Sequence, residues 1–235
     1  MNLGHTDGVL LSSVITCMIY QRAEATFWFN LEQKMQDYVN TINESSGGAV
    51  FNWGFRNDYS YWREYPGATG HPVSAEVDWY GYEKCNETEN LTRPAEDCMG
   101  YFKWSLSEGI NGPFSFKQFT MLPVIYEGLP EKPFILQLND LNITLEEMVW
   151  GDPPTIMNTS IFYTKCKFDA KIDFYGYFAY FLLKDNVSFE WVTVNITDLA
   201  NVTNRLRVKD GKLTYFLKGT YEEKIWCDKN ENKGK

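Results

Sequence analysis

The sequence predicts a mainly β protein in which long antiparallel strands form a curved sheet or barrel behind one N-terminal amphipathic helix. Three observations predict it. Aromatic residues make up 17% of the 235 residues and include eight tryptophans, which suits broad apolar strand faces better than a helical bundle. Apolar and polar residues alternate with a period of two from residue 168, the period of a strand with one wet face. The pair Asp210-Gly211 lies between two strand-like runs, the strongest short signal for a hairpin turn. With 44% apolar and 23% charged residues, the chain can bury a sizeable core.

The apolar run Val9 to Tyr20 is too short to cross a bilayer and precedes the small-residue pattern Ala23-Glu24-Ala25, so residues 1–25 read as a secretory signal peptide cleaved after Ala25. Residues 26–235 are then expected to form a single secreted, extracellular β-rich domain. Phe27, Leu31, Met35, Tyr38, Val39 and Ile42 recur at helical spacing and predict a helix over 27–43, stopped by Ser45-Ser46-Gly47-Gly48. Segments 50–65 and 73–82 are aromatic-rich and broken by turn residues, 83–99 reads as a glycosylated loop, and 100–106 alternates as a strand. Residues 134–138 and 141–145 add a strand or a pair of strands, closed by the break Asp152-Pro153-Pro154. The alternation predicts one long strand over 168–183, a turn at Lys184-Asp185-Asn186 and a returning strand through Val187, Phe189 and Trp191. Residues 205–208 and 213–217 flank the Asp-Gly turn.

Twenty-two basic residues face 31 acidic ones, a net charge of −9. That excludes nucleic acid and anionic membrane surfaces as main partners, because both need a basic footprint. Glycosylation sequons begin at Asn43, Asn86, Asn90, Asn142, Asn158, Asn186, Asn195 and Asn201, where about two would arise by chance. The excess points to the secretory pathway. Of five cysteines, Cys17 leaves with the signal, and Cys85, Cys98, Cys166 and Cys227 make two disulfides with three possible pairings. Cys85–Cys98 as a local loop closure with Cys166–Cys227 as a long-range staple is the favoured one.

Catalytic chemistry is not expected. The chain after the signal holds one histidine, His71, and lacks the nucleophile elbow, the phosphate loop and the zinc-protease motif. Glu146-Glu147, Glu222-Glu223 and Asp97 read as solvated surface carboxylates. Without a Cys-x-x-Cys pair no metal is expected, and no cofactor is implied. The protein is therefore expected to be non-enzymatic. The alternating aromatics either fill a compact core or wall a cavity for a hydrophobic ligand, and periodicity fits both.

The runs Leu136-Gln137-Leu138-Asn139-Asp140-Leu141-Asn142-Ile143-Thr144-Leu145, Phe168-Asp169-Ala170-Lys171-Ile172-Asp173-Phe174 with Tyr177, and Val192-Thr193-Val194-Asn195-Ile196-Thr197 are similar to strands of the arthropod takeout and juvenile-hormone-binding family. That family shares a tubular lipid-binding architecture with related mite allergens. The second resemblance is to the acidic, glycosylated, disulfide-stapled lipocalins of arthropod saliva. Both imply a secreted carrier that binds or sequesters a lipid, hormone or amine, with a cavity lined by Leu136, Leu138, Ile172, Phe174, Phe178, Tyr180, Phe189 and Trp191. The alternative is a secreted β-sandwich interaction protein that binds another extracellular protein of host or self, with Tyr59, Tyr61 and Trp62 as contact residues.

Overall fold

The computed structural model describes residues 27–46, 49–65, 70–86, 97–140, 142–154, 159–184, 187–202 and 205–228. The expected signal peptide lies outside them. The described chain starts with a short strand, β1 (Phe27–Asn30), which pairs in parallel with β4 (Cys98–Asn111) from Phe27 opposite Glu108. Helix α1 (Leu31–Ser45) begins only after it. Asn30 is the reason: it is extended, and its side-chain oxygen accepts the Gln33 N–H at 3.0 Å, an N-cap that fixes the helix start four residues later than the apolar period suggests. Leu31, Met35 and Val39 form the buried stripe of α1, the face expected of an amphipathic helix.

The long strands make one seven-stranded sheet. β4, β12 (Lys212–Asp228), β8 (Thr159–Tyr175) and β3 (Ser74–Asn86) lie side by side in that order, all antiparallel. β7 (Asn142–Trp150) runs along the outer edge of β4, and β11 (Leu206–Lys209) extends the edge of β12. Asp210 and Gly211, both at positive φ, turn β11 into β12, as an Asp-Gly pair predicts. Two smaller sheets complete the strands: β10 (Ser188–Asn195), β9 (Tyr177–Lys184) and β2 (Val50–Gly54), and the hairpin of β5 (Lys117–Leu122) with β6 (Lys132–Gln137). The fold is mainly β with an N-terminal helix, and none of its sheets closes into a barrel.

The expected long strand 168–183 is two strands in two sheets. Gly176 divides them with φ +104°. A Cβ there would stand 2.5 Å from the Pro72 carbonyl oxygen, so only glycine lets the chain pass the 71–72 segment, where Tyr177 N–H donates to the His71 carbonyl. Likewise, the 134–138 and 141–145 runs fall in separate sheets, as β6 and β7.

One face of the large sheet is apolar and covered. At one end, Trp104 of β4 stacks on Phe134 of β6 at 5.6 Å and meets Tyr221 at 4.9 Å. At the other, Phe29 stacks on Tyr215, and Tyr38 of α1 meets Phe178 of β9 edge-on. The segment joining β5 to β6 is held by the buried Glu223, whose carboxylate accepts the backbone N–H groups of Val124, Ile125 and Tyr126 at 2.7–3.1 Å. Three amide donors aimed at one carboxylate offset the cost of burying it. The expectation that Glu222 and Glu223 share a solvated turn is therefore corrected: both lie in β12, and Glu223 points inward.

The disulfides are Cys85–Cys166 and Cys98–Cys227, not the favoured Cys85–Cys98 and Cys166–Cys227. Strand order explains the correction. Cys85 on β3 and Cys98 on β4 are separated by β8 and β12, about 14 Å at ordinary strand spacing. Cys166 sits opposite Tyr221 rather than Cys227, six residues and about 20 Å along the strand from its expected partner. Each observed bridge joins neighbouring strands instead, with Cys98 directly opposite Cys227.

Candidate functional site

The residues expected to line a ligand cavity do not share one. Leu136, Leu138, Ile172, Phe174, Phe178 and Tyr180 are buried members of a continuous core. Phe114 and Phe116 pack against Phe174 with ring centroids 6.2 and 6.1 Å apart, so side chains fill the space a ligand would need. Phe189 and Trp191 point the opposite way, on the outer face of the three-stranded sheet, where Phe189 is 53% exposed.

That outer face is the most unusual surface among the described residues. In β9 and β10 it carries Ala179, Phe181 and Leu183 opposite Thr193, Trp191 and Phe189, with no charged side chain among the six. Phe181 stacks on Phe189 at 4.9 Å and leans on Trp191 at 4.7 Å. Phe51, at a bulge in β2, crosses over to Phe189 at 5.4 Å and is itself 61% exposed. The short helix α2 (Ser60–Glu64) and its flanks bring Tyr59, Tyr61 and Tyr65 to Trp191 at 5.7, 5.3 and 6.5 Å. Trp62 continues the row edge-on to Tyr61 at 4.7 Å. Eight aromatic side chains thus form one contiguous platform, and Val187, 85% exposed, stands at the β9–β10 turn beside it. The nearest strand charges, Lys184 and Glu190, pair with each other at 3.4 Å.

Local sequence builds the platform. Gly54 lets the Tyr59 ring lie against the β2 backbone, since any Cβ there would run into that ring. Burial pushes the Tyr59 phenol up to about 12. Its hydroxyl and the Trp62 indole N–H are buried without a hydrogen-bond partner among the described residues. β2 is tied to α1 by the Trp53 indole N–H donating to the Gln36 side chain at 2.8 Å, which holds the sheet against the helix. Of the platform, Tyr59, Tyr61 and Trp62 stand out in the sequence as expected exposed contacts; the structure corrects this, placing all three half-buried against Gly54, Trp191 and one another. Phe51, Tyr65 and Phe181 do not stand out, although one signal was legible: residues 177–183 carry aromatics at both parities, the mark of a strand apolar on both faces.

The other expected sites fall as follows. Cys85, Cys98, Cys166 and Cys227 are all in disulfides. Asn86 and Asn142 are exposed at the ends of β3 and β7. Asn43 is half-buried and accepts the Val50 N–H, and the Asn195 side chain accepts both the N–H and the hydroxyl of Thr197. Asn201 lies in a 3-10 helix, Ile196–Val202. Asn90, Asn158 and Asn186 lie outside the described residues. His71 packs edge-on to Tyr175. Among the described residues, no three His, Cys, Asp or Glu side chains are grouped to hold a metal ion, and no helix is long and apolar enough to cross a membrane.

No family model matches the chain, and no curated protein does. Solved structures align with it over most of its length at low identity. A non-toxic crystal protein from Bacillus thuringiensis is 14% identical, covering 87% of this chain and 94% of its own, with a TM-score of 0.42. A structure of the Cry23Aa1 and Cry37Aa1 binary complex is 14% identical over 88% and 92%, with a TM-score of 0.43. The Mpp75Aa1.1 β-pore-forming protein from Brevibacillus laterosporus is 10% identical over 84% and 86%, with a TM-score of 0.31. These are bacterial crystal and pore-forming proteins, and the resemblance to takeout proteins and salivary lipocalins is corrected accordingly. The open sheets and filled core withdraw the carrier function that came with it. The β-sandwich reading also goes, because the remaining described strands form a three-stranded and a two-stranded sheet, not a second full sheet.

Proposed function

We propose that the protein is a non-enzymatic, secreted protein that docks on the surface of a zwitterionic membrane through its aromatic platform. One observation carries the reading: the outer face of β9 and β10 carries an exposed Phe189 among half-buried Phe181, Leu183 and Trp191, with no charge among them. Soluble proteins rarely leave so contiguous an apolar surface uncovered without a use for it. The exposed Tyr65 and the half-buried Tyr61 and Trp191, rings with an apolar body and a polar tip, suit the boundary between lipid headgroups and acyl chains. A net charge of −9 disfavours anionic lipid and leaves a neutral headgroup as the matching surface. Two disulfides and the eight sequons support passage through an oxidising secretory compartment.

Co-sedimentation with phosphatidylcholine vesicles tests the reading. The wild-type chain is expected to partition onto vesicles, and the double substitution Phe189→Ser with Trp191→Ala to weaken this at least about tenfold while circular dichroism stays unchanged. Failure of the wild type to bind, or equal binding by the folded variant, would overturn it.

A further inference from the structure

On the outer face of the large sheet, β1, β4, β11 and β12 bring a cationic group together. Phe27 stands opposite Glu108, Glu108 opposite Lys218, and Arg207 opposite Thr214, one step from Phe216 along β12. The result is a cleft of about 410 Å³ lined by Glu108, Arg205, Arg207, Phe216 and Lys218.

Its cations are not loose surface charges. The Arg205 guanidinium lies 3.6 Å from the centre of the Phe27 ring and 3.6 Å from the Glu108 carboxylate, so an aromatic face and an ion pair set its plane. The Arg207 guanidinium sits 5.7 Å over Phe216. Stacking of this kind orients the guanidinium fork before any anion arrives, which reduces the entropy lost on binding. Arg207 and Lys218 make no ion pair among the described residues, although Asp169 stands across from Lys218 on β8. Three cations against Glu108 and Asp169 give the cleft a local positive charge in a chain of net charge −9.

We infer that this cleft binds a tetrahedral oxyanion of the phosphate class, with Arg207 and Lys218 contacting it and Arg205 held in place beside them by Phe27 and Glu108. The Arg207 guanidinium fork and the Lys218 ammonium supply donors on more than one side of such an anion, where a single carboxylate would leave some unused. The inference does not rest on membrane docking, since the residues and the face are different.

Calorimetric titration of the full chain with inorganic phosphate, set against chloride at matched ionic strength, tests it. Saturable phosphate binding that weakens about tenfold in Arg207→Ala and in Lys218→Ala, but not in Arg56→Ala, is the expected result. Absence of saturable heat in the wild type, or binding that neither cleft substitution weakens, overturns it. Vesicles of phosphatidylcholine with phosphatidic acid then identify the source. Extra binding over phosphatidylcholine alone that free phosphate competes away and Arg207→Ala abolishes assigns the cleft to a lipid headgroup. Phosphate binding without that gain assigns it to a free phosphate.

Discussion

The Tyr221 hydroxyl donates a 2.6 Å hydrogen bond to the carboxylate of Glu223, two residues along the same strand, and both side chains are buried. Burial, with the carboxylate close by, pushes the Tyr221 phenol well above its usual value. Because that carboxylate also holds the N–H groups of Val124, Ile125 and Tyr126, the pair fastens the β5–β6 hairpin to the centre of the large sheet.

Glu223→Ala strands three half-buried amide donors and the buried Tyr221 hydroxyl, and is expected to cost about 3–5 kcal/mol in stability. Glu223→Gln keeps one acceptor oxygen and should cost about 1–3 kcal/mol, and Tyr221→Phe about 1 kcal/mol. Urea denaturation midpoints check the order; a Glu223→Ala protein as stable as the wild type would contradict it.

Alkaline pH should unfold the protein through its buried phenols. Burial, reinforced by Glu108, raises Tyr215 from 10.0 to about 12, and burial raises Tyr82 further in the same direction. A folded value above the unfolded one means the unfolded chain releases its proton first. The stability from these groups is therefore complete below about pH 10 and is lost as pH rises through 12. Tyrosinate absorbance and circular dichroism followed together should move as one transition. Tyr215→Phe should make the alkaline loss shallower, and an unchanged slope would argue against this account.

Proteolytic fragments of the unreduced protein should contain Cys85 linked to Cys166 and Cys98 linked to Cys227. Replacing Cys98 and Cys227 by serine opens a link across 129 residues and should cost about 4–5 kcal/mol. Replacing Cys85 and Cys166, 81 apart, should cost nearly as much, about 4 kcal/mol. Thermal unfolding of the two variants makes the comparison.

Gly176→Ala should destabilise by about 2 kcal/mol or more, because it adds a Cβ at φ +104° against the Pro72 carbonyl. Gly112→Ala, with open space around its Cβ position, is the control and should fall within about 0.5 kcal/mol of wild type. Equal melting temperatures for the two variants would show that the sheet change at Gly176 carries no strain.

Strand identity was legible wherever one face is wet. The C-terminal half of β8 and the β9–β10 and β11–β12 hairpins follow from alternation and turn chemistry, although alternation runs β8 and β9 together across Gly176. What alternation lacks is any record of which strand lies beside which. The cysteine pairing could not be read because it depends on β8 and β12 entering between β3 and β4, a long-range fact. Apolar spacing continues through Phe27 and so places the start of α1 too early, while the Asn30 cap and the parallel pairing of β1 with β4 decide the boundary. Hydrophobicity alone points Phe189 and Trp191 inward, because an alternating strand has two faces and the more apolar one reads as the interior. Here β10 places its larger rings outward and Val192 and Val194 inward.

The disulfides tie the large sheet at two levels, Cys98 opposite Cys227 at one end of β12 and Cys85–Cys166 level with Tyr221 near its middle. An oxidised chain that has lost its structure therefore keeps an alignment memory: β4 stays beside β12, and β3 beside β8, each tethered at one rung. Slipped pairings, which would turn every core side chain outward, are excluded near those rungs before folding begins. The platform strands β2, β9 and β10 carry no such tether, so that end of the molecule must find its register anew each time.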